Sequence, residues 1–396
     1  MAVPSVFAQE ALRLIQAGKI DDAVIQYELG VKADGRDVDC LVGLGRARLQ
    51  QGRGAESKAV WEQLLSVQPQ HPEAQSQLAL LRFSAGEPAA MEALFAAAYA
   101  PGAGPMEHMN LAWALGKNGD GDGEEREYKK AIAAEPKNAF VQMKAGEAAL
   151  RRGDPVAALA HLEPAVALAP GEAFLHAYLS KAHQQKGDLE AAAQALLKGL
   201  VKTDEHPTLL EELYLVRWAQ GYWTDALGAV EKLHQRHPEN RQYQYLHAVA
   251  LNRTGHYRDA RALLEPLLSA EPPSPDVRHA LSDAFRGLGD LERAQALLEE
   301  AVALDPIAVG PVNDLSLLLM KQPGGKPRAV ELLRRVVEAH PNDAATHYNL
   351  AVALKEAEPG AALAHAKSAQ ASPDKRIREV AEQMIRELSH QRYDIS

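Results

Sequence analysis

Apolar residues recur along this chain at helical spacing, in paired runs separated by short breaks. Between Ala139 and Glu172 the first run is Met143, Ala145, Gly146, Ala149 and Leu150. Residues three and four apart share one face of a helix, so this spacing predicts an amphipathic helix. Arg151-Arg152-Gly153-Asp154-Pro155 breaks the run. Glycine relieves the helix end, aspartate caps the next helix, and proline suits a first helical turn. A second run follows through Ala158, Leu162, Ala165 and Val166, and Pro170 stops it. The predicted unit is helix, short turn, helix, short turn.

The same punctuation returns downstream. Gly187-Asp188-Leu189, Gly221-Tyr222-Trp223, Gly255-His256-Tyr257 and Gly289-Asp290-Leu291 stand where Gly153-Asp154 stood. The second runs match as well: Ala192 and Leu196, Ala226 and Val230, Ala260 and Leu264, and Ala294, Leu298 and Ala301. Small residues at one position let two helices approach, and large apolar residues four positions later fill the space above. Proline keeps the same beat at Pro69, Pro136, Pro170, Pro238, Pro272, Pro306, Pro341 and Pro373. Most neighbours stand about 34 residues apart or twice that, the period of a two-helix solenoid repeat.

The pattern resembles the tetratricopeptide repeat family, whose unit has a small residue at its eighth position, alanine at its twentieth, a large apolar residue at its twenty-fourth, a small residue at its twenty-seventh and proline at its thirty-second. The unit starting at Ala139 supplies Gly146, Ala158, Leu162, Ala165 and Pro170. The unit starting at Pro275 supplies Ser282, Ala294, Leu298, Ala301 and Pro306. About eleven such units fill residues 4–374, covering almost the whole chain. Residues 375–390 read as an amphipathic helix that covers the last unit's apolar face, as a solenoid requires, and 391–396 as a tail. The resemblance implies an all-α, right-handed superhelical solenoid of stacked antiparallel helix pairs. Some units depart from the pattern. The terminal proline is missing at Asp34 and Asp204, and Glu124 stands where the small alanine belongs. The third unit breaks at Gly86-Glu87-Pro88 and ends in the loop Pro101–Pro105, so a bend or hinge is expected near 99–105.

Composition agrees with a helical chain. Alanine and leucine dominate and aromatic residues are only 5%, a mixture that loses little on entering a helix. The net charge of -10 repels a phosphate backbone, so nucleic acid is not an expected partner. Cys40 is the only cysteine, so neither an internal disulfide nor a cysteine zinc cluster can form. The opening MAVPSVFAQEALRL has no basic region followed by an apolar one, so no secretory signal is expected. No stretch reaches the roughly 20 apolar residues of a membrane span. Membrane insertion is therefore not expected, and the expected compartment is the cytoplasm.

Candidate chemistry is sparse. Asn118-x-Asp120-x-Asp122-Gly123 imitates the first half of a calcium loop, but Lys129 stands where the closing carboxylate belongs. Gly324-Gly325-Lys326 imitates a phosphate loop without its earlier glycine, its Ser or Thr, or its preceding strand. None of the 15 histidines falls in HExxH. His234 and His237 lie at a helix end, and His176 and His183 occupy core-facing positions of one helix. Both pairs read as packing or helix-end residues rather than metal ligands. With no GxSxG element and no cysteine–histidine motif, the chain reads as non-catalytic, with no cofactor and no metal centre.

The resemblance also implies a surface. In that family the first helix of each unit lines a concave groove through its second, fifth, sixth, ninth and twelfth positions. Those positions hold Met106, Met109, Asn110 and Trp113 in the fourth unit, and Phe140, Met143 and Lys144 in the fifth. They hold Phe174, Tyr178 and Lys181 in the sixth, Trp218 in the seventh and Tyr245 in the eighth. Methionine adapts its shape and aromatics anchor, so the set suits a protein or peptide partner. Lys144 and Lys181 are expected to meet its carboxylates. Asn110, Lys144 and Asn349 match isolated elements of the clamp by which some family members hold a C-terminal carboxylate. The full constellation is absent. The expected function is an interaction scaffold that binds a peptide, helix or subunit in its groove. The alternative is a substrate-recruiting or regulatory subunit of a separately encoded glycosyl- or methyltransferase or secretion machine.

Overall fold

The computed structural model describes residues 5–269 and 272–393; parts of the expected start at residue 4 and of the tail 391–396 lie outside them. All regular structure among the described residues is helical. The contacts between helices divide the chain into two units, one running to Leu209 and one starting at Leu210.

The first unit pairs α1 (Val6–Gln16) with α2 (Ile20–Ala33), α3 (Val38–Gln50) with α4 (Gly54–Val67), and α5 (Pro72–Ser84) with α6 (Ala90–Ala98). It continues with α7 (Pro105–Lys117) and α8 (Gly121–Ala134), α9 (Ala139–Arg152) and α10 (Pro155–Leu168), and α11 (Ala173–Gln185) and α12 (Leu189–Lys202). α13 (Pro207–Gln220) carries the boundary in its first turn. The second unit continues with α14 (Trp223–Arg236), α15 (Arg241–Arg253) and α16 (Tyr257–Leu264), the last extended by a 3₁₀ turn at Glu265–Ser269. Then come α17 (Pro275–Gly287) with α18 (Leu291–Leu304), α19 (Val309–Met320) with α20 (Lys326–Ala339), and α21 (Ala344–Leu354) with α22 (Pro359–Gln370). α23 (Lys375–Tyr393) packs on α22 and α21 and runs beyond the expected end at 390.

The turns are built as the sequence suggests. Gly153 ends α9 in the left-handed region at φ 74°, which a glycine enters without steric cost. The Asp154 backbone N–H then returns to the Ala149 carbonyl at 3.0 Å, while its carboxylate accepts from the Ala157 N–H at 2.9 Å and starts α10. One Gly-Asp dipeptide thus satisfies orphan groups at the end of one helix and the start of the next. Asp188 and Asp290 cap α12 and α18 in the same way.

Packing within each pair is small against large. A Cβ on Gly146 would lie 2.6 Å from Leu162 Cγ, and one on Gly45 would lie 2.6 Å from Trp61 Cε2. Trp61 and Leu162 are fully buried. Where the pattern departs, the backbone departs too. Ala89 precedes α6 at φ 64°, and Asp204 and Glu205 take φ 47° and 55°.

Loop 99–105 is tied down on one side. Tyr99 Oη donates to Glu127 Oε1 at 2.6 Å, and His108 Nδ1 lies 2.7 Å from Glu127 Oε2. Lys130 bonds both Tyr99 and Glu127.

Candidate functional site

The residues expected to line a groove fall into three environments in the first unit. Met109, Asn110 and Met143 are buried, which corrects their expected place on an open surface. Met109 packs with Tyr128 and Val141, and Met143 with Ala165 and Leu175. Asn110 Nδ2 donates to Ser76 Oγ at 2.9 Å. Their side chains point between neighbouring helices, where the fifth and sixth positions of a first helix meet the adjacent pair.

Trp113 and Tyr178 are half-buried. Trp113 stands edge-on to Phe83 at 6.0 Å, with Lys117 5.7 Å from its ring. Lys144 is half-buried and donates to Glu147 at 2.8 Å, with the Phe140 ring 5.7 Å away. Lys181 is exposed.

Phe140 and Phe174 are the most open of the set's apolar members, at 47% and 45% exposure. Each occupies the first turn of its helix, one repeat apart, and Met106 holds the same place on α7, half-buried. Met106 and Phe140 also share a cavity of about 540 Å³ with Arg46, Glu73, Glu107 and Met109. Its charges are committed internally. Arg46 forks onto Glu73 at 2.5 and 2.6 Å, and Glu107 accepts from the Gly104 N–H at 2.7 Å. His71, Glu135 and Asn138 complete a lining that mixes polar and apolar groups.

In the second unit Trp218 and Trp223 meet edge to face at 4.8 Å. The Arg253 guanidinium lies 5.9 and 5.7 Å from their rings. Tyr245 is half-buried, and burial pushes its hydroxyl up to about 12. It lines a cavity of about 570 Å³ with Asn252, Tyr257, His279, Asp283 and Arg286.

Sequence reasoning missed the last three residues of that cavity. They fall at the fifth, ninth and twelfth positions of the unit starting at Pro275, and the pattern H-x3-D-x2-R was their signal. His279 Nε2 lies 2.9 Å from Asp314 Oδ2. Arg286 bonds Asp283 and also lies 3.4 Å from Asp314. Burial pushes Asp283 above the ordinary aspartate range, against the opposing charge of Arg286. Burial also raises Asp314, but the His279 hydrogen bond and the Arg286 charge outweigh it and hold it low.

The remaining motifs are structural. Asp120 caps α8 by accepting from the Gly123 N–H at 2.8 Å. Lys326 bonds Glu356 at 2.6 Å. His176 is buried with its ring nitrogens 3.2 Å from the Ala195 carbonyl and 3.0 Å from the Pro170 carbonyl. His234 lies 3.0 Å from His247, ring nitrogen to ring nitrogen.

Helix hairpins of this length, stacked with glycine or alanine beneath leucine or tryptophan, define a helical repeat protein. Models described as tetratricopeptide repeat match residues 42–105, 109–173, 143–208, 217–284 and 275–307. The chain belongs to the tetratricopeptide repeat family. Among solved structures it is similar to yeast Tom70, at 15% identity and TM-score 0.50, over 98% of this chain and 96% of that one. It is also similar to a tetratricopeptide repeat protein from Parabacteroides merdae ATCC 43184, at 17% identity and TM-score 0.54, over 63% of this chain and 98% of that one. No curated protein matches the chain in sequence. Family and fold together support a protein-interaction scaffold. No helix among the described residues is long and apolar enough to cross a membrane.

Proposed function

We propose that the chain is a non-catalytic scaffold that captures a peptide, helix or subunit of a partner protein on its first-helix faces. The observation that carries this reading is the ladder of Met106, Phe140 and Phe174. Three large apolar side chains hold the same place on α7, α9 and α11, and two of them remain substantially exposed. An apolar side chain already about half covered gains roughly 1 kcal/mol when a partner buries the rest. The rigid stack holds the ladder in place beforehand, which lowers the ordering cost of binding.

The test is site-directed photo-cross-linking in cells. A benzophenone side chain at Phe174 is expected to capture a partner protein, while the same group at Val201, exposed on the second helix α12, captures none. Equal adducts at both positions, or adducts at Val201 alone, would move binding to the other face.

A further inference from the structure

The cavity of the second unit brings an imidazole and two carboxylates to one point. His279 and Asp283 stand four residues apart on α17 and so share a face, and Asp314 reaches the same place from α19. One ligand atom from each lies within 4.8 Å of the others. We propose that His279, Asp283 and Asp314 form a binding site for one divalent transition-metal cation of the zinc class, with Arg286 as the internal cation that holds the site when no metal is bound.

The ligand set points to that class. An imidazole nitrogen suits zinc and its neighbours, whereas magnesium and calcium favour oxygen alone. Two carboxylates supply the charge that a dication requires. Zinc bonds to such atoms are about 2.0–2.2 Å long, so two ligands of one tetrahedral ion stand about 3.3–3.6 Å apart. An ion entering the cluster would spread the His279–Asp314 pair from its present 2.9 Å and draw in those ligand atoms that now stand as far as 4.8 Å apart. Three protein ligands also leave a tetrahedral ion one open position. His279, Asp283 and Arg286 all line the cavity of about 570 Å³, which gives that position access to water.

Arg286 explains how the carboxylates coexist without metal. It is bonded to Asp283 and lies 3.4 Å from Asp314. Yet it sits in the last turn of α17 with its side chain 42% exposed, so it can turn into solvent when a dication arrives. This site stands in a different unit from the Met106–Phe174 ladder and does not depend on it.

The test is titration of the full chain, stripped with chelator, with ZnCl₂ at pH 7.5 by isothermal calorimetry. One zinc per chain is expected. His279→Ala and Asp314→Asn should each weaken binding about tenfold or more, on the scale seen when metal-site partners are lost. Arg286→Gln removes a competing positive charge a few ångströms away and should tighten binding about tenfold. That gain cannot arise from misfolding. Cobalt substituted in the wild type should give an absorption spectrum that His279→Ala abolishes. Zinc held equally by wild type and His279→Ala would place it elsewhere, on the His234–His247 pair for example, and would overturn the proposal. So would an Arg286→Gln variant that binds no tighter than wild type, or no zinc bound by either.

Discussion

Glu124 of α8 fills the space left by Gly116 of α7. A Cβ on Gly116 would lie 2.5 Å from Glu124 Cδ, so the glycine is what admits the carboxylate. Glu124 is 1% exposed and is met by two arginines of α9, Arg151 and Arg152, the latter at 2.9 Å. The small-residue rule of the repeat is thus inverted here. A carboxylate replaces alanine, a glycine makes room, and the next repeat supplies the charge.

This relationship predicts strong coupling between the two positions. Glu124→Ala breaks a buried ion pair and is expected to cost about 3 kcal/mol. The figure is the low end of the range because Arg151 and Arg152 are 38% and 24% exposed and can rehydrate. Gly116→Ala overpacks the site, at about 1–3 kcal/mol. The double variant restores alanine over alanine and should cost at least about 1 kcal/mol less than the sum. Urea unfolding combined with hydrogen exchange of the α7 and α8 amides reads this out, and simple additivity would contradict it.

Backbone strain at Ala89 gives a stabilising prediction. This residue precedes α6 at φ 64° with no side-chain cap. An L-residue in that region bears roughly 1–2 kcal/mol that glycine avoids. Glycine also gains freedom in the unfolded chain, which returns part of the benefit. Ala89→Gly is therefore expected to stabilise by about 0.5–1 kcal/mol, visible as a raised melting temperature in circular dichroism. A lowered one would show that the conformation is not strained.

The repeat was legible because two constraints coincide in it. The same 3.6-residue spacing that buries Leu162 places Gly146 beneath it, so hydrophobic pattern and close packing mark the same positions. The proposed binding face was less legible, since one spacing serves two surfaces. Met109 and Met143 obey the groove register as well as Phe140 does, yet both are buried between helices. Side-chain direction separates them, and no linear pattern encodes it. The cluster at His279 escaped because its members are polar and its third member, Asp314, belongs to another helix. Asp314 lies 35 residues from His279, and only the stacking of α19 on α17 brings their side chains to 2.9 Å.

The exposed residues of the proposed ladder should be separable from stability. Phe140 and Phe174 are nearly half exposed, so Phe140→Ser and Phe174→Ser remove about half the buried area of a core phenylalanine. Each is expected to cost about 1 kcal/mol, well below a core truncation. The double variant should keep its circular dichroism and a cooperative melting curve while losing the cross-linked partner. A large loss of stability would mean that the ladder packs the stack instead of a partner.

Acid should weaken the second unit through its histidine pairs. His234 and His247 face each other across α14 and α15 at 3.0 Å, and His347 and His365 across α21 and α22 at 2.9 Å. Burial, followed by the neighbouring histidine, lowers the pKa of His247 below the ordinary histidine value, and the same causes in the same order lower His365. An unfolded chain binds protons at about pH 6.5, before the folded His247 and His365 do. The unfolded state therefore holds more protons in that range, and stability rises with pH. The contribution of the pairs is complete above about pH 6.5 and is lost as the pH falls below it. Melting temperatures should thus drop between pH 7.5 and pH 5.5, before carboxylates begin to titrate. His247→Gln and His365→Gln remove the groups that must charge, and together they should flatten that drop. An unchanged slope in the double variant would assign the acid sensitivity to other groups.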